Sequence, residues 1–297
     1  ADRPADRKRP AILLASAFHP WEVSTPEFVF DAALQLLTAT DPSTRNWLKE
    51  LAFVLIPFTN PDGSHTFWHE SNRFGRKNRR RIGRSQGQNI GVDLNRNFPF
   101  RWSPYTNLYN SNEPSSTFYR GTSPGSEPET KAIMRLAQRE RFVSSVSYHA
   151  AATRILVPYT IDGVKNPKPS TAWIVAREME KKLPHAFGRK PYKFVRNLYP
   201  VTGTDQDWHY FTYGTLAYLV EVPWSNPPPE RLRESVIHSR PIWQHLAERW
   251  VAGPSLTVSV RRAGRPLNAR IMIKEIKHFE GERQRTHPQT GQYHTYL

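Results

Sequence analysis

Five apolar, β-prone runs recur along the chain: AILLAS at 11–16, LAFVLIPF at 51–58, FVSSVSY at 142–148, RILVPY at 154–159 and LAYLVEV at 216–222. They are continuous rather than alternating, so each strand they form must be covered on both faces. Helical patterns fill the gaps. Ser24 with Glu27 reads as a capping box before FVFDAALQLL, Ser126 with Glu129 as another before TKAIMRLAQRE, and a third helix fits 170–183. After NPPPE, helical pattern continues to about 251, with Pro241 expected to open a new helix rather than to sit inside one. Strands alternating with helices predict an α/β fold, with a mixed, mostly parallel central sheet and helices on both faces. From GPSLTVSV onward the pattern changes to short alternating segments between turn residues, which predicts a short C-terminal all-β segment. The expected division is 1–252 for the sheet-bearing domain and 253–297 for the β segment.

Composition narrows the chemistry. The 297 residues include no cysteine, so disulfides, thiolate metal sites and thiol nucleophiles are excluded, and any metal must be held by His, Asp or Glu. No stretch reaches the ~20 apolar residues of a membrane helix. A net charge of +16, densest in RKNRRRIGR at 76–84, favours anionic or acidic partners. That basic run lacks interleaved base-stacking aromatics, which disfavours nucleic acid.

The first apolar run ends in SAFHPWEVST, which places His19 and Glu22 three residues apart. Catalytic zinc takes three protein ligands, often two His and one carboxylate, and keeps one position open. The third ligand should come from another strand end, because parallel strands of an α/β sheet converge their carboxyl ends on one crevice. His149, closing FVSSVSYH, fits that place. An HxxE pair by itself recurs by chance, so the assignment needs support from the surrounding blocks.

Eight blocks supply it in order: HPWE, NPDG, RKNR, GVDLNRNF, YRGTSPGSEPET, SYH, LYPVTGTDQDW and YLVEV. In this respect residues 11–250 resemble the zinc metallocarboxypeptidases of the carboxypeptidase A/B type, especially their secreted bacterial members. The resemblance implies one zinc ion on His19, Glu22 and His149, and hydrolysis of the last peptide bond to release a single amino acid. It makes Glu221 the general base that takes a proton from the zinc-bound water, Arg76 the stabiliser of the oxyanion, and Tyr199 the mobile tyrosine that closes over substrate. Asn95 and Arg96 would anchor the substrate's terminal carboxylate, and Gln206 and Thr204 would line the pocket for the outgoing side chain, with Asp205 close by. Peptide or protein C-termini are then the partners, and secretion or a periplasmic location follows from family habit. Lys77, Arg79 and Arg80 are expected on the surface, while Arg73 is either a substrate contact or part of the same basic face.

Three departures qualify the resemblance. The family usually carries a longer helix-and-hairpin stretch before its HxxE, which implies a shortened segment or missing edge strands. Trp21 stands where many members have an arginine. Residues 254–297 resemble a transthyretin-like accessory module but are shorter than one. Two other functions stay open: a zinc peptidase for peptidoglycan stem peptides or acidic, γ-linked glutamyl tails, and an inactive binding homologue. The last is disfavoured because the three ligands and the base are all present.

Overall fold

The computed structural model describes residues 9–70, 75–82, 90–102, 106–183, 191–278, 281–282 and 284–297. Six strands form the main sheet: Ala11–Ser16 (β1), Ala52–Ile56 (β2), Ser144–Ala150 (β3), Arg154–Leu156 (β4), Lys193–Val195 (β5) and Leu216–Val222 (β6), in the order β2-β1-β3-β6-β4-β5. β2, β1, β3 and β6 run parallel; β4 lies antiparallel to β6 and carries β5 parallel on its outer side. The sheet is therefore mixed and mostly parallel, with helices flanking it, as the run pattern predicts. Every residue of β1 is buried, which explains why that run has no polar alternation.

Among the described residues seven helices connect and cover these strands: Thr25–Leu37 (α1), Pro42–Glu50 (α2), Pro61–His69 (α3), Pro128–Glu140 (α4), Thr171–Glu180 (α5), Asp205–Tyr213 (α6) and Pro229–Ala252 (α7). α2 and α3 start on side-chain caps: Asp41 Oδ1 accepts from Thr44 N at 2.8 Å and Asn60 Oδ1 from Gly63 N at 3.0 Å, each followed by proline at the first helical position. The expected capping boxes take another form. Ser24 precedes α1, but its hydroxyl donates to Trp224 O at 2.7 Å, tying the helix to the loop after β6. Ser126 donates to Glu127 Oε1 at 2.6 Å, and α4 begins two residues later at Pro128. Pro241 does not open a new helix; it lies within the single 24-residue α7. Packing against α1, α2 and α5 supports the helix across the missing N–H, and Trp243, 1% exposed, sets its ring edge-on to Trp47 and Phe53.

Beyond Gly253, Ser255–Ser259 (β7) pairs antiparallel with Gln292–Tyr296 (β10), and Arg261–Arg262 (β8) with Arg265–Pro266 (β9). This is the small C-terminal β segment. It is anchored to the main body: Tyr296 is buried beside Trp250, donates to Leu246 O at 3.0 Å and lies 3.2 Å from Ser144 Oγ on β3.

His209 on α6 is buried against Phe142 and Trp208, and neither ring nitrogen has a hydrogen-bond partner among the described residues. Burial pushes its imidazole down to about 3. The folded chain thus refuses a proton that the unfolded chain accepts, so stability present above about pH 6.5 is lost as pH falls toward 3. His209→Leu is expected to flatten the fall in melting temperature between about pH 7 and pH 4. An equal fall in both proteins would assign the acid sensitivity elsewhere.

Candidate metal centre and active site

The chain leaves β1 and turns at once, with Glu22 N donating to His19 O at 3.0 Å and Thr25 Oγ1 donating to Glu22 O at 2.8 Å. This turn presents His19 and Glu22 on one side, and the neighbouring strand β3 delivers His149 beside them. β1 pairs with β2 on one flank and β3 on the other, so the three residues meet where the strand order reverses. His19 Nδ1 lies 2.8 Å from Glu22 Oε1 and 3.2 Å from His149 Nδ1, and His149 Nδ1 lies 3.1 Å from Glu22 Oε2. All three residues are buried.

These atoms suit a shared cation better than they suit one another. Ligands on a tetrahedral zinc at about 2.0–2.1 Å stand roughly 3.4 Å apart, close to the spacings found. Among the described residues Glu22 Oε2 is buried with no hydrogen-bond partner despite its nearness to His149. Burial pushes the Glu22 carboxyl up, but the two imidazoles together outweigh it and hold the group at about 2, ready as an anionic ligand. The donor set, two imidazoles and one carboxylate, fits zinc.

Asp93 is the site residue that the motif blocks contain without marking. Its carboxylate lies in the run Val92-Asp93-Leu94, is fully buried, and accepts on one side from His19 Nε2 at 3.1 Å and on the other from Arg76 Nε at 2.7 Å. Burial alone would push this acid up; Arg76, Arg96 and His19 reverse that and hold it well below the usual carboxylate range. A carboxylate can only accept, so His19 donates through Nε2–H and its Nδ1 lone pair is left facing Glu22 and His149. An acid between two apolar residues was the available signal, since such a group needs buried partners.

Glu221 stands directly opposite His149 in the parallel β3–β6 register and opposite Arg154 in the β4–β6 register. Burial and then the Glu22 carboxylate push its own carboxyl upward. Arg76, besides its bond to Asp93, lies 4.9 Å over the Phe118 ring, which fixes its plane.

The remaining expected residues gather on two loops. Asn95 and Arg96 sit in a short 3-10 turn, Leu94–Arg96, capped by Asp93 Oδ1 accepting from Asn95 N at 3.0 Å. Arg96 donates from Nε to Tyr109 O and from Nη1 to Asn95 O, both at 2.7 Å, and its guanidinium lies 5.6 Å over Phe118. Tyr199 packs on Tyr109 at 4.9 Å and is within electrostatic range of Arg96, Glu221 and Arg76; burial pushes its phenol upward. Thr204 precedes α6 with a buried hydroxyl that has no partner; Gln206 Nε2 donates to Thr160 Oγ1 at 3.3 Å while its Oε1 has none among the described residues. The two loops are pinned together. Asp205 N donates to Asn95 Oδ1 at 2.8 Å and Phe98 N to Gly203 O at 3.0 Å. Gly203 has φ +71, and a Cβ there would stand 2.1 Å from Arg96 O, so only glycine permits this approach.

Among the neighbours of Arg76, Lys77 departs from expectation, whereas Arg80 is exposed and Arg79 half-exposed. Lys77 is not on the surface: it is buried, with Nζ donating to Pro114 O at 2.7 Å and Ser116 O at 3.1 Å, because two loop carbonyls replace its water. Arg79 pairs with Glu70 and Arg80 with the buried Glu127, so part of the basic run is structural. Arg73 and the end of the run at 83–84 lie outside the described residues.

Comparison with known proteins fits this geometry. A sequence model described as zinc carboxypeptidase matches residues 2–239. Zinc carboxypeptidase A 1 of Anopheles gambiae is 28% identical over 220 residues, covering 72% of this chain and 49% of that protein. Carboxypeptidase A6 of Mus musculus is 32% identical over 207 residues, covering 67% and 46%. The chain thus spans about half the length of the curated relatives it matches. Among solved structures, thrombin-activatable fibrinolysis inhibitor superposes with a TM-score of 0.72 at 24% identity, covering 83% of this chain and 63% of that one, a likeness of fold.

Because Asp93 fixes both the His19 tautomer and Arg76, Asp93→Asn is expected to weaken zinc binding about 10–100-fold in a chelator-competition titration. Unchanged affinity would leave Asp93 as a partner of Arg76 alone.

Proposed function

The chain belongs to the zinc carboxypeptidase family, and we propose that it cleaves the last peptide bond of a peptide or protein, releasing one amino acid. The observation that carries this reading is the convergence of His19, Glu22 and His149 with Glu221 in register beside them. Zinc held there would polarise the scissile carbonyl and lower the pKa of water toward ~7.

The protein's own groups do the rest. Arg96, with Asn95, binds the terminal carboxylate through a charged fork and an amide, selecting chain ends over internal bonds. Glu221 takes a proton from the attacking water and returns it to the leaving amine; its upward-shifted carboxyl suits a group that must both accept and donate. Arg76, held by Asp93, places fixed positive charge where negative charge develops on the carbonyl oxygen. Tyr199 orients the substrate from the loop packed on Tyr109. The unpaired Gln206 Oε1 and Thr204 Oγ1 give the side-chain pocket a polar lining, suited to an outgoing residue that brings a donor.

The net charge of +16 favours one variant of this reading, in which the substrate is an acidic or γ-linked tail or a peptidoglycan stem peptide. Peptides differing only in the last residue, assayed beside muropeptides and γ-glutamyl chains, separate the two. Release of single α-linked residues supports the first, and cleavage confined to the others supports the second.

Glu221→Gln is expected to retain zinc while losing about 10²–10⁴ in kcat, the usual share of a general base. Retained turnover would remove Glu221 from that role. Arg96→Ala is expected to raise KM for peptides with free carboxyl ends and to leave the weak cleavage of amidated peptides unchanged. Equal losses on both would contradict the anchor.

A further inference from the structure

Outside the metal centre, the loop 163–170, the first turn of α5, residues 196–197 and the C-terminal residues Lys277 and His278 enclose a cleft of about 1050 Å³. Lys165, Lys168, Arg196 and Lys277 line it. None of the four forms an ion pair with a carboxylate among the described residues. Glu282, which faces His278, has both oxygens engaged, one by His278 Nδ1 at 2.6 Å and the other by the Tyr159 hydroxyl.

The backbone places two of these residues opposite one another. Lys168 and Lys277 form an isolated antiparallel bridge, with Lys277 N donating to Lys168 O at 2.9 Å and Lys168 N to Lys277 O at 3.3 Å. Residues paired this way project on the same side about 5 Å apart, and like charges so placed destabilise the pair. Among the described residues no carboxylate pairs with either lysine. Arg196 lies nearby, its guanidinium carbon 4.7 Å over the Trp173 ring. The N-terminus of the ten-residue α5 also faces the cleft, its Trp173 N–H already donating to Ser170 Oγ at 3.4 Å.

We propose that this cleft is a second ligand site, taking a compact oligophosphate. The chemistry points to phosphate groups. An arginine edge and a helix N-terminus both match tetrahedral oxyanions, and the paired lysines supply point charges for a neighbouring phosphate. The volume lies at the upper end of small-ligand sites, about 300–1,000 Å³, which suits an anion of several linked groups rather than a single ion. Bound there, the ligand would bridge the 163–170 loop and the C-terminal segment across the Lys168–Lys277 pair.

The test is calorimetric titration of the zinc-loaded protein with sodium tripolyphosphate at constant ionic strength, with zinc content followed in parallel and citrate as the comparison anion. One tripolyphosphate per chain, bound about tenfold tighter than citrate, is expected. Lys168→Gln/Lys277→Gln should lose about tenfold or more of that affinity and, without ligand, melt above the parent because the lysine repulsion is gone. Arg196→Lys keeps the charge and loses the fork, so it should fold normally and bind several-fold more weakly. Several weak ions per chain, citrate binding as tightly, affinity or heat unchanged in the double variant, or a double variant that melts no higher than the parent would each overturn the proposal.

Discussion

The alignment of three parallel strands governs this molecule. β1, β3 and β6 lie side by side and run the same way, so their carboxyl ends open at one level. His19 follows the first, His149 closes the second, and Glu221 sits opposite His149 on the third. A shift of one residue in either register would turn a ligand or the acid toward the opposite face, because side chains alternate along a strand. The apolar packing that covers the sheet on both sides therefore also sets the spacing of the polar groups at its rim.

That rim is charged and dry, which is costly unless every charge is matched. Asp93 supplies the matching. It lies between an imidazole and a guanidinium, and Arg96 adds to the field that keeps it ionised. The two roles proposed for these partners, holding a cation and stabilising an anion, are thereby tied to one carboxylate. Glu22 is kept anionic by the same kind of compensation, whereas Glu221, where burial is reinforced by the nearby Glu22 carboxylate, is pushed the other way. Three acids in one cleft thus have three different environments, and the differences follow from which charges each one faces.

Much of this was legible in the sequence where a residue's reason for being there is local. The apolar runs located β1 and β6 to the residue because both are buried along their length. β5 went unread because three residues, KFV, form too short a run to show a pattern, and its identity as a strand depends on pairing with β4. The capping boxes misled because Ser24 bonds to Trp224 O, brought near only by the fold, and Ser126 to the side chain of its neighbour Glu127, which stands before the helix start. Pro241 misled because a helix interior tolerates proline when neighbouring helices hold the rest. At the site, the motif blocks named residues by type and order, and the structure then brought His19, Glu22, His149 and Glu221 together. They said nothing of Asp93, whose role exists only through partners 17 and 74 positions away.

Gly203 has a wider consequence. With no side chain in the way, the segment bearing Thr204 and Gln206 rests directly on the backbone of Arg96, and hydrogen bonds on either side lock the contact. In the proposed reading, one surface grips the end common to all substrates and the other inspects the part that varies. Joined at a single bare backbone position, the grip and the gauge keep a constant distance. New tastes can then evolve by exchanging side chains at the gauge while the measuring length stays the same.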